Sequence, residues 1–207
     1  MSYYPGGRGD LLETLKAFLR IPSVSALAEH KDDIRRAAEF VRGQLEAAGL
    51  DRAELIEGAG HPLVYGEWLG APGKPALLFY GHYDVQPPDP LEEWKSAPFQ
   101  PEIRGGDIFA RGASDDKGQL LISIKAVEGL LRAHGRLPVN VRFLIEGEEE
   151  TGGAHIASYV EKRPARLKAD AAVISDTEMF APGLPTLCVG LRGIVYLDEI
   201  DKVARKS

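Results

Sequence analysis

Apolar positions at helical spacing open the chain: Leu11, Leu12, Leu15, Phe18 and Leu19 fall on one face, and Pro22 ends the run. A second amphipathic helix is predicted from Ile34, Ala37, Ala38, Val41, Leu45 and Ala48. Asp32 and Asp33 lie in its first turn, and Gly49 is placed for a C-terminal cap. The pattern then shortens to β-like runs at 53–56, 63–69 and 76–80. The last, Ala76 to Tyr80 between Pro75 and Gly81, reads as a buried strand. Residues 86–106 carry Pro87, Pro88, Pro90, Pro98 and Pro101 and predict a long surface loop.

From Lys117 to His134 the positions Leu120, Leu121, Ile124, Val127, Leu130 and Leu131 trace one helical face, stopped by Gly135. A strand is predicted at 139–145, then an acidic turn, a short helix at 154–161 and a strand at 171–174. Strands alternating with helices define an α/β sandwich. No internal repeat or low-complexity tract interrupts the pattern.

Composition adds exclusions. The 207 residues carry 25 Lys+Arg against 31 Asp+Glu, a net charge of −6, with 44% hydrophobic residues. These are globular values, and no basic stripe suits a nucleic-acid partner. Cys188 is the one cysteine, so an internal disulfide framework is excluded. No apolar run approaches the roughly 18 residues of a membrane helix, and the start lacks a signal-peptide pattern. The expectation is a cytoplasmic protein without a membrane partner.

Four polar clusters follow predicted strands or open a helix: 81–84 (GHYD), 111–118 (RGASDDKG), 148–152 (EEETG) and 175–177 (SDT). Strand C-terminal ends are where open α/β sheets place ligands. One histidine with several carboxylates is a donor set for a divalent ion, zinc foremost, with manganese or cobalt as alternatives. Each cluster also has a plain structural reading. His82 could be a satisfied interior histidine, although Asp84, two residues on, could orient its ring. Asp115 and Asp116 could complement a helix dipole, Glu148 to Glu150 could be a solvated turn, and Asp176 a strand-end residue. His30, His61, His134 and His155 have no neighbouring ligand pattern and read as surface or helix-end residues.

Taken jointly and in order, the segment from Leu77 through Gly118, with FLIEGEEETGG and AAVISDTEMF, resembles the co-catalytic di-zinc metallopeptidase family. That family includes carnosinases, acetylornithine deacetylase, succinyl-diaminopimelate desuccinylase and carboxypeptidase G2, and the dipeptidase branch is the nearest in pattern. The resemblance implies a zinc-peptidase-like sandwich with a mixed, mostly parallel sheet flanked by helices, incomplete at the C-terminus. It implies that His82 and Asp176 bind one metal, Asp115 bridges two, Glu150 binds the other, Glu149 is the general base and Asp84 supports His82. A cis peptide between Asp115 and Asp116 is part of the same implication. The implied reaction is hydrolysis of the amide bond of dipeptides or N-acyl amino acids by a two-metal-activated water. The register of the glutamate run rests on the following Thr151-Gly152, with Glu148 as the competing position.

Two features of that family pattern are absent: a lid or dimerisation domain, through which members commonly form homodimers, and a late metal-ligating histidine. No histidine follows His155. The expected organisation is therefore the first part of a catalytic domain over 1–192, with 193–207 as the start of a lid strand or a foreign tail. The alternative is a non-catalytic, metal-binding fragment. The tail, GIVYLDEIDKVARKS, is similar to a Walker B segment of Clp-type ATPases, but the chain lacks a phosphate-binding loop.

Overall fold

A computed structural model of the chain describes residues 7–181, 183, 184, 186–190 and 193. In the unit that ends at Asp176, helix α1 (Gly7–Leu19) and helix α2 (Lys31–Ala47) precede strands β1 (Arg52–Ile56), β2 (Leu63–Trp68) and β3 (Ala76–His82). A two-stranded hairpin, β4 (Glu102–Arg104) and β5 (Asp107–Phe109), leads to helix α3 (Lys117–His134). Strand β6 (Asn140–Glu146), helix α4 (Ala154–Lys162) and strand β7 (Ala171–Ile174) complete it. The main sheet has the order β1-β2-β6-β3-β7. β3 pairs in parallel with both β6 and β7, while β2 is antiparallel to β1 and to β6. Four of the five strands thus point one way, and β2 alone is reversed.

Strand alternation sends side chains to two cores. On one face Val64, Val141, Phe143 and Ile145 meet Ile34, Ala37, Val41 and Leu45 of α2 and Leu120, Ile124 and Val127 of α3. Phe79 stacks on its register partner Phe143 at 4.8 Å, which ties β3 to β6. On the other face Leu63, Tyr65 and Leu144 pack with Leu167, Ile156 and Tyr159. Each fully buried aliphatic or aromatic side chain contributes about 1.5–3 kcal/mol, so these two clusters outweigh any surface ion pair.

Several sequence expectations change. The segment 76–80 is central in the sheet but only half-buried, because the adjoining β7 is largely exposed. The strand also runs on through Gly81 to His82, which is therefore its last residue and not part of a cluster beyond it. The loop over 86–106 contains a 3₁₀ turn at Leu91–Glu93 and gives way to the β4–β5 hairpin, which the sequence reading missed. Three-residue strands are too short to show a period, but Gly105 and Gly106, with φ of +61° and +98°, are the two-residue signal of such a turn.

The described residues from Thr177 onward belong to a second unit. Within it Ala181 bridges to Leu184, and the Phe180 N–H donates to Thr186 Oγ1 at 3.0 Å. Apart from Gly193, the segment 193–207 and its Walker B likeness lie outside the described residues.

Candidate metal centre

The parallel register of β3 with β6 and β7 delivers the polar residues to one sheet edge. His82 pairs with Glu146 on β6, and Tyr80 pairs with Ile174 on β7, so Asp176, two residues past Ile174, comes alongside His82. His82 Nε2 lies 3.6 Å from Asp176 Oδ2 and 3.0 Å from Asp115 Oδ1, which arrives from the loop before α3. Donor atoms of these three residues all fall within 4.8 Å of one another. His82 is fully buried, whereas the Asp115 and Asp176 side chains are 59% and 29% exposed, so the group opens to solvent on the carboxylate side.

The imidazole is aimed from behind. His82 Nδ1 lies 3.1 Å from the backbone carbonyl of Asp84 and 3.3 Å from its Oδ1. A carbonyl only accepts, so Nδ1 carries a proton and Nε2 is the nitrogen left for a ligand. Nε2 is buried without a hydrogen-bond partner among the described residues, since Asp115 Oδ1 is close but not aligned as an acceptor. Asp84 also organises the glutamate turn: its Oδ1 accepts the Glu149 N–H at 3.3 Å and its Oδ2 the Glu150 N–H at 3.2 Å.

Asp116 departs from the dipole reading given to it in the sequence. It is fully buried, makes no side-chain cap for α3, and accepts the His82 backbone N–H through Oδ2 at 3.2 Å. The peptide between Asp115 and Asp116 is cis. Gly81 leaves room for this contact, because a Cβ there would stand 2.6 Å from Asp116 Oδ2. Lys117, next in sequence and buried, turns away and donates to the carbonyls of Phe18 at 3.2 Å and Ile21 at 2.7 Å.

Electrostatically the edge holds a surplus of carboxylates. Burial disfavours the charged form of His82, but Asp84, Asp116 and Asp115 outweigh it and lift its pKa to about 10. Asp116 is pushed up to about 7, chiefly by burial, with His82 opposing. Glu149, Glu150 and Asp176 are all raised, first by burial and then by neighbouring carboxylates. Lys117 is driven down to about 7 by burial. Asp84, Asp115, Asp116, Glu146, Glu149, Glu150 and Asp176 face His82 and a lysine directed elsewhere, which is a donor set that calls for added cations. The 3.0 and 3.6 Å donor separations bracket the ~3.4 Å edge expected for a tetrahedral ion with bonds of about 2.0–2.2 Å. The residues present fit a divalent metal.

The structure brings together His82, Asp115 and Asp176, with Asp84 behind them. Glu149 is near enough for His82, Asp176, Asp84 and Asp115 to act on its charge. Glu150 lies outside the three-residue group; its Oε2 accepts the Gln86 side-chain N–H at 2.8 Å. Glu148 faces elsewhere and accepts the backbone N–H groups of His61 and His155. Those two half-buried histidines, His155 at the N-terminal end of α4, therefore share a hydrogen-bonded cluster with Glu148. Sequence reasoning also missed Gln86 and Glu146. Glu146 was legible as the last residue of an apolar strand, and its buried Oε1 accepts the Tyr80 hydroxyl at 2.7 Å.

Residues 78–190 match the Peptidase family M20/M25/M40, and the chain belongs to that family. It is 31% identical over 203 residues to a Cys-Gly metallodipeptidase of Schizosaccharomyces pombe, covering 92% of this chain and 43% of that protein. Among solved structures, human carnosine dipeptidase 1 superposes with a TM-score of 0.76 at 31% identity, over 82% of this chain and 38% of that one. An M20 family metallo-carboxypeptidase from Sulfolobus solfataricus gives 0.74 at 43% identity, over 80% and 37%. The chain thus spans about two fifths of the length of these relatives. Among the described residues, no helix is long and apolar enough to cross a membrane.

Proposed function

We propose that this chain supplies the metal-binding and general-base residues of a hydrolase that cleaves the amide bond of dipeptides or N-acyl amino acids. The observation that carries the reading is the buried Nε2 of His82, which has no hydrogen-bond partner among the described residues and faces Asp115 and Asp176. His82, Asp115 and Asp176 would hold one zinc ion, and Asp115 with Glu150 a second, with manganese or cobalt as alternatives. Bound there, the metals would polarise the scissile carbonyl and lower the pKa of water.

Glu149 is the base in this reading. Burial and the carboxylates around it raise its pKa from the ordinary glutamate range toward the operating pH, where a general base is most effective. It takes a proton from the attacking water as the oxygen adds to the carbonyl carbon, and returns it to the leaving amine as the C–N bond breaks. Asp84 keeps the Glu149 backbone and the His82 ring in one frame.

A second reading, metal binding without turnover, is favoured by the position of Glu150, hydrogen-bonded to Gln86 and apart from the three-residue group. Amine release from a panel of dipeptides by the purified chain separates the two. Turnover abolished by a chelator, restored by zinc and lost in Glu149→Ala supports the hydrolase. Stoichiometric zinc binding without turnover supports the second reading, and absence of zinc binding overturns both.

A further inference from the structure

The glutamate turn is fastened twice, once by Asp84 and once by its own first residue. Glu148 Oε1 accepts the His61 N–H at 3.1 Å, and Oε2 accepts the His155 N–H at 3.2 Å. The Nδ1–H of His155 donates to the His61 carbonyl at 2.8 Å, which closes a ring through three segments of the chain. The ring fits only because the segment before His61 is glycine-rich. A Cβ on Gly60 would stand 2.0 Å from Glu148 Oε1, and one on Gly58 would stand 1.9 Å from His155 Nε2. The next residue, Pro62, is held in turn by the buried hydroxyl of Tyr83, which donates to its carbonyl at 2.6 Å.

We infer that Glu148 is a positioning residue, with Gly60 leaving room for its carboxylate and Gly58 for the His155 ring: it sets the path of the turn on which Glu149 and Glu150 are presented. The physical argument is one of division within a single run. Three consecutive carboxylates cannot all face the same point. Glu148 spends both oxygens on backbone N–H groups of the segment 57–62 and of α4, so the backbone of 149–150 is pressed toward Asp84. Without that anchor the backbone N–H groups of Glu149 and Glu150 are held by the Asp84 contacts, which are long, at 3.3 and 3.2 Å, and the turn is otherwise fixed by the Gln86 contact to Glu150 and by its own backbone hydrogen bonds. The inference rests on the metal-centre reading for its consequence, though not for its geometry.

The test compares Glu148→Gln and Glu148→Ala in the full 207-residue chain by two readouts. The first is amide hydrogen exchange of Glu149 and Glu150 in the metal-free protein. It is expected to speed up at least about tenfold in the alanine variant and by less in the isosteric glutamine variant, while core amides such as Phe143 keep their rates. The second is titration with Co2+ followed by its visible absorption. It is expected to show an affinity loss of about tenfold, as when an outer-shell partner of a metal ligand is removed, and an altered band. A purely structural role would lower the unfolding midpoint but leave the absorption band in place. Wild-type exchange and wild-type Co2+ affinity in both variants would overturn the inference, and if the alanine variant does not fold the glutamine variant decides by the same criteria. Absence of Co2+ binding by the unaltered chain would instead sink the metal-centre reading, and with it the role assigned to Glu148.

Discussion

The carboxylate of Asp84 accepts the backbone N–H of Glu150 at 3.2 Å while its main-chain carbonyl lies 3.1 Å from the imidazole of His82. One buried residue thus couples the ring at the end of β3 to the turn after β6. Asn at this position keeps one acceptor oxygen and turns an N–H group toward a backbone N–H. Asp84→Asn is expected to weaken zinc binding by about 10–100-fold. Competition with a chromophoric chelator measures it, and an unchanged affinity would remove Asp84 from the centre.

Metal uptake should expel a proton. Without metal, His82 is charged at neutral pH because its pKa is raised to about 10. A cation on Nε2 must displace that proton, so the apparent affinity from this group rises about tenfold per pH unit over the range below pH 10. Calorimetric titration with zinc at pH 7, in two buffers of different ionisation enthalpy, should show about one proton released for the ion that binds at His82. Zero release would mean that His82 is neutral or not a ligand.

Asp116 gives the metal-free protein a distinct pH dependence. Its folded pKa is raised from 3.8 to about 7. A raised folded value means that the native state binds more protons than the unfolded chain between these pH values. Its contribution is therefore fully present below pH 3.8 and lost as the pH rises toward about 7. Replacing it by Asn, which keeps an acceptor for the His82 N–H, should flatten the fall in stability between pH 5 and 7. Urea unfolding in the presence of a chelator tests this, and parallel curves for the two proteins would refute it.

Gly118 sets helix propensity against packing. Gly to Ala inside a helix normally stabilises by about 1 kcal/mol. Here the new Cβ would lie 2.2 Å from the backbone carbonyl oxygen of Ala113, in the loop that carries Asp115. A backbone atom cannot rotate aside, so Gly118→Ala is expected to destabilise by about 1–3 kcal/mol. It should also lower metal affinity. A gain in denaturant midpoint would show that the loop yields easily.

Much of this could be read without coordinates where the signal is local. Helix α3 runs from Lys117 to His134 as its apolar face predicts, and Gly135, at φ +68°, ends it. Strand β7 likewise has its predicted bounds. The β4–β5 hairpin was not legible in the same way, because three residues per strand contain barely one period. The contact of His61 was not legible for a different reason. Its partner, Glu148, is 87 residues away in sequence, and no local pattern reports a contact of that range.

Periodicity and residue type by themselves determined where the four helices and the five strands of the main sheet lie, that the chain carries carboxylates and a histidine at strand ends, and which family pattern they resemble. Only the tertiary structure decided which of those groups meet. Parallel pairing of β3 with β7 places Asp176 beside His82, and the buried Asp84 carbonyl leaves Nε2 of the ring as the open nitrogen. The three glutamates of the turn are chemically alike in sequence. Their separate surroundings come from distant backbone N–H groups and Gln86, because hydrogen bonds depend on which atoms the fold brings within about 3 Å.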